Sequence, residues 1–293
     1  MTDLALDAAP APSRSLWADA RRRLFRNRAA VASLVLLGLI TLACIFAPLL
    51  APHPMDDVNW DRIMAPPDWS LGYYFGTDEN GRDLFARALY GGRVSLSIGL
   101  VATLVSLVIG VAWGAVAGFV GGRVDAVMMR IVDILYALPF VFFVILLTVV
   151  FGRDVILMYI AIGAVSWLDM ARIVRGQTLS LKRKEFIEAA HASGVGTLAI
   201  LRRHIVPNTL GPVIIYTTLT VPQVILIESF VSFLGLGVQE PDASWGTMVN
   251  EGARVMEHSY WVLVYPAAML VVTLLCLNFI GDGLRDALDP KDR

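Results

Sequence analysis

The sequence predicts an all-α integral membrane protein with six transmembrane helices, and three observations carry that prediction. Hydrophobic residues make up 57% of the 293 positions and charged residues only 17%, a balance that suits lipid better than a water-facing surface. Apolar runs long enough to cross roughly 30 Å of hydrocarbon recur along the chain. These runs are continuously apolar, without the alternation of barrel strands. A backbone in lipid must also satisfy its own polar groups, so the runs should be helices.

The elements follow in chain order. Residues 1–13 are rich in Ala and Pro and are expected to be disordered. Within 14–28, Leu16, Trp17, Ala20 and Leu24 share one helical face and arginines the other. That pattern suits an amphipathic helix in the cytoplasmic interface, with a solvated charged tail as the alternative. Residues 29–293 form the transmembrane domain, with spans at 30–50, 94–119, 134–151, 155–168, 212–234 and 261–280. The fourth run is short: its 14 residues reach only about 21 Å, so the helix must continue past Asp169 or the bilayer must thin. The connections are an external loop 51–93, a cytoplasmic loop 175–210, an external loop 238–259 and a cytoplasmic tail 281–293.

Arginine and lysine set the orientation. Arg14, Arg21, Arg22, Arg23, Arg26 and Arg28 hold the N-terminal flank in the cytoplasm. Arg172, Arg175, Lys182, Arg183, Lys184, Arg202 and Arg203 do the same for the segment between the fourth and fifth spans. Asp56, Asp57, Asp61 and Asp68, and later Glu240, Asp242, Glu251 and Glu257, mark the external connections. Both termini are then cytoplasmic. A net charge of −1 says nothing about partners here, because the two signs are sorted to opposite faces. The first span is not expected to be a cleaved signal. Its apolar run reaches Leu50, beyond a typical signal core, and Thr41-Leu-Ala-Cys44 is a poor lipoprotein site. Cys44 and Cys276 lie inside spans and read as small packing residues.

Gly110, Gly114 and Gly118 fall four apart on the second span, a flat strip that lets another helix approach closely. Gly121-Gly122 should end that helix, and Pro139, Pro222 and Pro266 should put local breaks in the third, fifth and sixth spans. Asp133 with Arg130, and Asp169 with Arg172, have the spacing of local pairs. Glu228 stands sixteen residues into the fifth span with no Lys or Arg within a turn. A charge at a helix centre costs about 2.5–3.5 kcal/mol, so Glu228 should face protein or water. Two readings are open. Glu228, with Ser229 and Ser232, lines a translocation path, or it makes an interhelical hydrogen bond. The second is preferred, because lone acids often serve packing.

Catalytic chemistry is missing. The chain has no phosphate-binding loop, no Gly-x-Ser-x-Gly, no His-Glu-x-x-His and no paired-cysteine metal pattern. His53, His191, His204 and His258 are scattered, mostly in connections. No metal site, resident cofactor or nucleic-acid partner is expected. A proton-coupled carrier would need several charged groups across its spans, and only Glu228 reads as deep.

One polar, helix-forming insert remains: Glu185-Phe-Ile-Glu188-Ala189-Ala190-His-Ala-Ser-Gly194, with Pro207 thirteen residues after the glycine. Its alanines allow close approach to a partner groove, and Gly194 lets the chain turn. The insert resembles the EAA loop of bacterial ABC importer permeases, with His204 and Val206 at two usually aliphatic positions. Other stretches resemble the peptide and nickel permease family. They are Gly76-Thr77-Asp78-Glu-Asn-Gly81-Arg82-Asp83 with Arg87, Gly91, Arg93, Ser95 and Leu96; Glu228 to Gly237 with Trp245-Gly246; and the tail from Asn278 to Arg293. With residues 166–185, the chain is similar to the C permeases of oligopeptide ABC importers, from about residue 15 to the end.

The resemblance implies a type I ABC importer transmembrane domain in the bacterial inner membrane. It implies a homologous B permease as heterodimer partner, two ATPase subunits carrying ATP and magnesium, and an extracytoplasmic peptide-binding protein that delivers the peptide. Glu185, Glu188, Ala189, Ala190, Gly194 and Pro207 would couple the spans to an ATPase subunit. The chain itself would do no covalent chemistry. Dipeptides, nickel or another small solute are alternative cargoes on the same scaffold.

Overall fold

The structure, a computed structural model, describes residues 16–152 and 155–288. The 1–13 tail, the side chains of Leu16 and Trp17, and the end of the C-terminal tail lie outside the described residues. The chain runs through α1 (Leu16–Arg26), α2 (Arg28–Ile45), α3 (Ala47–Leu50), α4 (Leu84–Val120), α5 (Gly122–Ala137) and α6 (Phe140–Phe151). It continues through α7 (Val155–Leu181), α8 (Glu185–Ala192), α9 (Thr197–Ile200), a π-helical turn (Leu201–Ile205), α10 (Val206–Phe233), α11 (Trp245–Val255) and α12 (Tyr260–Leu288). Extended pairing among the described residues is confined to the bridges Asp68–Tyr73 and Thr77–Asp83.

Five of these runs are long and apolar enough to cross a membrane: α2, α4, α7, the continuous run from α9 through α10, and α12. The third expected span departs from the prediction. Residues 134–137 end α5, and α6 leaves it at 80°. The cause is Pro139, which forces the preceding Leu138 out of the helical region, to φ −77 and ψ 124. Alone, α6 has 12 residues and reaches only about 18 Å, so a sixth crossing needs α5 and α6 together. Pro222 and Pro266, by contrast, do not break their helices, since α10 and α12 run through them. A proline there removes one backbone donor, and packing against neighbours tolerates the loss.

Other boundaries shift too. Helix α4 starts at Leu84, ten residues before the expected span, and its 37 residues extend about 55 Å, well beyond the hydrocarbon. The short fourth run extends as proposed: α7 continues to Leu181. The connections expected to be external are partly helical, carrying the 3-10 turn Trp60–Arg62, the first turns of α4, and α11.

The glycine strip places α4 against α7. A Cβ on Gly110 would stand 2.6 Å from Met170 Cβ, and one on Gly118 would stand 2.9 Å from the Arg175 carbonyl. Gly121 ends α4 with φ +73, which the absence of a side chain permits. Both acids expected in local ion pairs find partners on another helix instead. Asp133 of α5 accepts from Arg172 of α7 at 2.9 Å, and Asp169 accepts from the Tyr136 hydroxyl at 3.0 Å. Arg175 clamps Asp125 with two 2.6 Å bonds, further pinning α7 to α5. On the same side, α1 lies against α12, where a Cβ on Gly283 would meet Ala30 and Leu24.

Candidate functional site

Three places in this fold could serve function. The first is the insert between α7 and α10. Glu185 and Glu188 occupy the first turn of α8, where the helix dipole favours negative charge. Ile187 is 0% exposed and anchors the helix in a cluster with Phe119 of α4, Met170 and Val174 of α7, and Val213 of α10. Glu185, Glu188, Ala189 and His191 are exposed, as is Phe186 at 44%. Ala190 points the other way and packs against the Ile187 cluster. Of the two alanines expected on the docking face, Ala189 is exposed and Ala190 half-buried. Gly194, at φ +76, terminates the helix. Its N–H donates to His191 and that of Val195 donates to Ala190, a Schellman stop that suits glycine. Pro207 is the second residue of α10, directly after the π-helical turn of the same continuous run. His191 and His204, expected in connections, lie on helical turns; His191 stacks on Phe119 with centroids 5.6 Å apart.

The second place is the end of the bundle that carries the connections expected to be external. Asp83 caps α4 by accepting from the Phe85 N–H at 3.0 Å. Asp78, in the turn ahead of it, accepts from Arg82 and Arg87. Arg82 and Arg87 in turn bond Glu240 and Glu251 from the other external segment. Just inward, Glu228 is 0% exposed. Its carboxylate accepts from Ser95 of α4 at 2.9 Å and from Ser232 of α10 at 2.8 Å, with Ser229 at 3.4 Å. Ser95 also accepts from the Trp245 N–H of α11, at 3.3 Å. Glu228 lies five residues before the end of α10, close to its place in the expected span ending at 234. Ser232 borders an outer depression shared with Glu79, Glu240 and Glu251.

The third is a cavity of about 440 Å³ bounded by α5, α6, α7 and α10. Tyr136, Ser166, Asp169, Tyr216, Thr220 and Gln223 bring polar groups to its wall. Glu228 and Ser229 do not reach it. The sequence held a signal for this site: Tyr216, Thr220 and Gln223 recur at spacings of four and three, a polar stripe on an otherwise apolar helix. Among the described residues, no group of three or more His, Cys, Asp or Glu could hold a metal ion.

Comparison with known proteins supplies the context. A family model described as the binding-protein-dependent transport system inner membrane component matches residues 110–293. A second, the N-terminal TM domain of oligopeptide transport permease C, matches residues 15–67. The chain is 60% identical over 280 residues to the oligopeptide transport system permease protein OppC of Escherichia coli K12, covering 96% of this chain and 93% of that one. Against the dipeptide transport system permease protein DppC of Bacillus subtilis it is 44% identical over 288 residues, covering 98% and 89%. In fold it is similar to a chain of the MetNI methionine ABC transporter, with TM-score 0.56 and 19% identity, covering 68% of this chain and 94% of that one. The chain, a multi-pass inner membrane protein, belongs to the binding-protein-dependent transport system inner membrane components, within the oligopeptide transport permease C branch.

Proposed function

We propose that this chain is a membrane-spanning permease subunit of an ATP-driven importer that moves oligopeptides into the cytoplasm. The observation that carries this reading is α8, a short helix anchored by one buried residue with its charged and aromatic face left outside. Because Ile187 shares a cluster with residues of α4, α7 and α10, a push on α8 is delivered to three spans at once. An ATPase subunit that moves on binding ATP would apply that push, and hydrolysis would relax it. ATP and magnesium would sit on two such ATPase subunits, leaving this chain without a cofactor and without catalysis. A homologous B permease would complete the bundle, and an extracytoplasmic peptide-binding protein would deliver the cargo. The oligopeptide reading of the cargo is supported by relatives at 54–60% identity that carry the name oligopeptide transport system permease protein.

Reconstitution tests this reading. The purified chain alone should not hydrolyse ATP, and the four-subunit complex with its binding protein should take up labelled peptide in proteoliposomes. Cysteines replacing Asp57 and Lys184 should react with an impermeant thiol reagent from outside and inside respectively. ATP hydrolysis by the isolated chain, or outside labelling at Lys184, would overturn the assignment.

A further inference from the structure

We propose that the cavity between α5, α6, α7 and α10 receives the N-terminal ammonium group of a peptide in transit, with the Asp169 carboxylate as its counter-charge. The inference rests on the permease reading above and deepens it.

Asp169 stands midway along α7, within a run long and apolar enough to cross a membrane. A carboxylate there is costly unless it faces water or a cation, and by default marks a functional position. The local cations are already committed. Arg172 bonds Asp133 at 2.9 Å and lies over the Tyr136 ring at 4.3 Å, and Arg175 is clamped by Asp125. Among the described residues, the hydrogen bond to Asp169 comes from a neutral hydroxyl, that of Tyr136 at 3.0 Å. Among the described residues that line the cavity, Asp169 is the one charged side chain, held in place by that neutral hydroxyl.

An ammonium group matches this site: a compact cation with three donors. A peptide's carboxylate end would find no partner there and would be repelled. The remaining wall suits the rest of a peptide. The Gln223 amide offers both a donor and an acceptor to a peptide bond, and Leu135, Phe140, Ile162 and Ile227 give apolar surface. The volume of about 440 Å³ falls within the roughly 300–1,000 Å³ of small-ligand sites.

The test uses the complete importer in proteoliposomes, with a labelled tetrapeptide and its N-acetylated form, each rate normalised to peptide loaded on the binding protein. Wild type should move the free-amine peptide about ten-fold faster than the acetylated one. Asp169→Asn, nearly isosteric and still able to accept from Tyr136, should abolish that preference by slowing the free-amine peptide alone. Asp169→Glu should keep it. Equal rates for the two peptides in wild type overturn the proposal whether or not any variant assembles. An equal fall for both peptides in Asp169→Asn also overturns it, because that marks a structural role. Uptake of neither peptide by wild type would instead defeat the permease reading itself.

Discussion

Arg87 and Asp78 meet as an ion pair with both side chains almost fully enclosed, 1% and 2% exposed. Glu251 of α11 accepts from the other edge of the same guanidinium at 2.7 and 3.0 Å. One arginine thereby ties α4 to both external segments. Removing one partner of a buried pair leaves an uncompensated charge and costs about 3–5 kcal/mol. Arg87→Met should therefore lower the melting temperature of the purified chain sharply. Its effect should not add to that of Asp78→Asn, because the two residues share one network. Additive losses in a double-mutant cycle would show that the pair contributes little.

The glycine strip predicts a contrast within one helix pair. A Cβ at Gly114 would press on the Ala171 carbonyl and stand 2.9 Å from the Arg175 nitrogen, whereas one at Gly176 of α7 would meet nothing within 4 Å. Gly114→Ala should destabilise by about 1–3 kcal/mol through overpacking. Gly176→Ala should be neutral or gain about 0.5–1 kcal/mol from helix propensity. Thermal melts of the two variants in one detergent decide the matter; equal behaviour would remove the packing argument.

On α8 the two alanines should separate coupling from folding. Ala189 is exposed, so Ala189→Trp should leave the chain's own melting temperature unchanged while releasing the ATPase subunits in co-purification. Ala190 packs inward, so Ala190→Trp should destabilise the chain itself. Gly194 has open space around it but φ +76. Gly194→Val should cost about 1–2 kcal/mol from backbone strain alone, and Gly194→Asn should cost less. Retention of full ATPase binding by Ala189→Trp would shift the docking surface elsewhere.

Glu228 gathers three serine hydroxyls from α4 and α10. Glu228→Gln keeps acceptor capacity and should assemble normally. Glu228→Leu strands those hydroxyls, at about 1–3 kcal/mol for a buried polar group left unmade. The expected result is a fall in the yield of assembled complex for Leu only. Normal assembly of the Leu variant, with altered uptake in both, would instead place Glu228 on the transport path.

Asp83 should give the fold a pH signature. Burial pushes its carboxyl up to about 6, and its Oδ2 has no hydrogen-bond partner. The folded form thus holds the proton more tightly than the unfolded chain. The ionised group costs stability in full above pH about 6, and that cost fades as pH falls from the folded value to the ordinary value of 3.8. Asp83→Asn keeps the cap without the charge. It should melt higher than wild type at pH about 7.5, with the gap narrowing below pH about 6 and closing only by pH about 4. A gap that does not change with pH would contradict the assignment.

Much of this architecture was legible in the chain because a bilayer imposes one-dimensional rules. Apolar run length, Arg and Lys sorting and glycine spacing each act along a single helix, so residues 30–50 or the strip at Gly110, Gly114 and Gly118 could be read without a fold. The EAA insert was legible for the same reason: a polar helix between spans has nowhere to go but the aqueous face. What the tertiary structure decided are relations between helices. Local spacing suggested Arg130 for Asp133, yet Arg172 reaches it from another helix. Glu228 read as a lone acid because apolar length cannot show that Ser95 waits on α4. The turn at Pro139, and the cavity that Asp169 faces beside it, arise only when α5, α6, α7 and α10 are packed. Sequence spacing fixes which residues share a face, and only packing decides what that face meets.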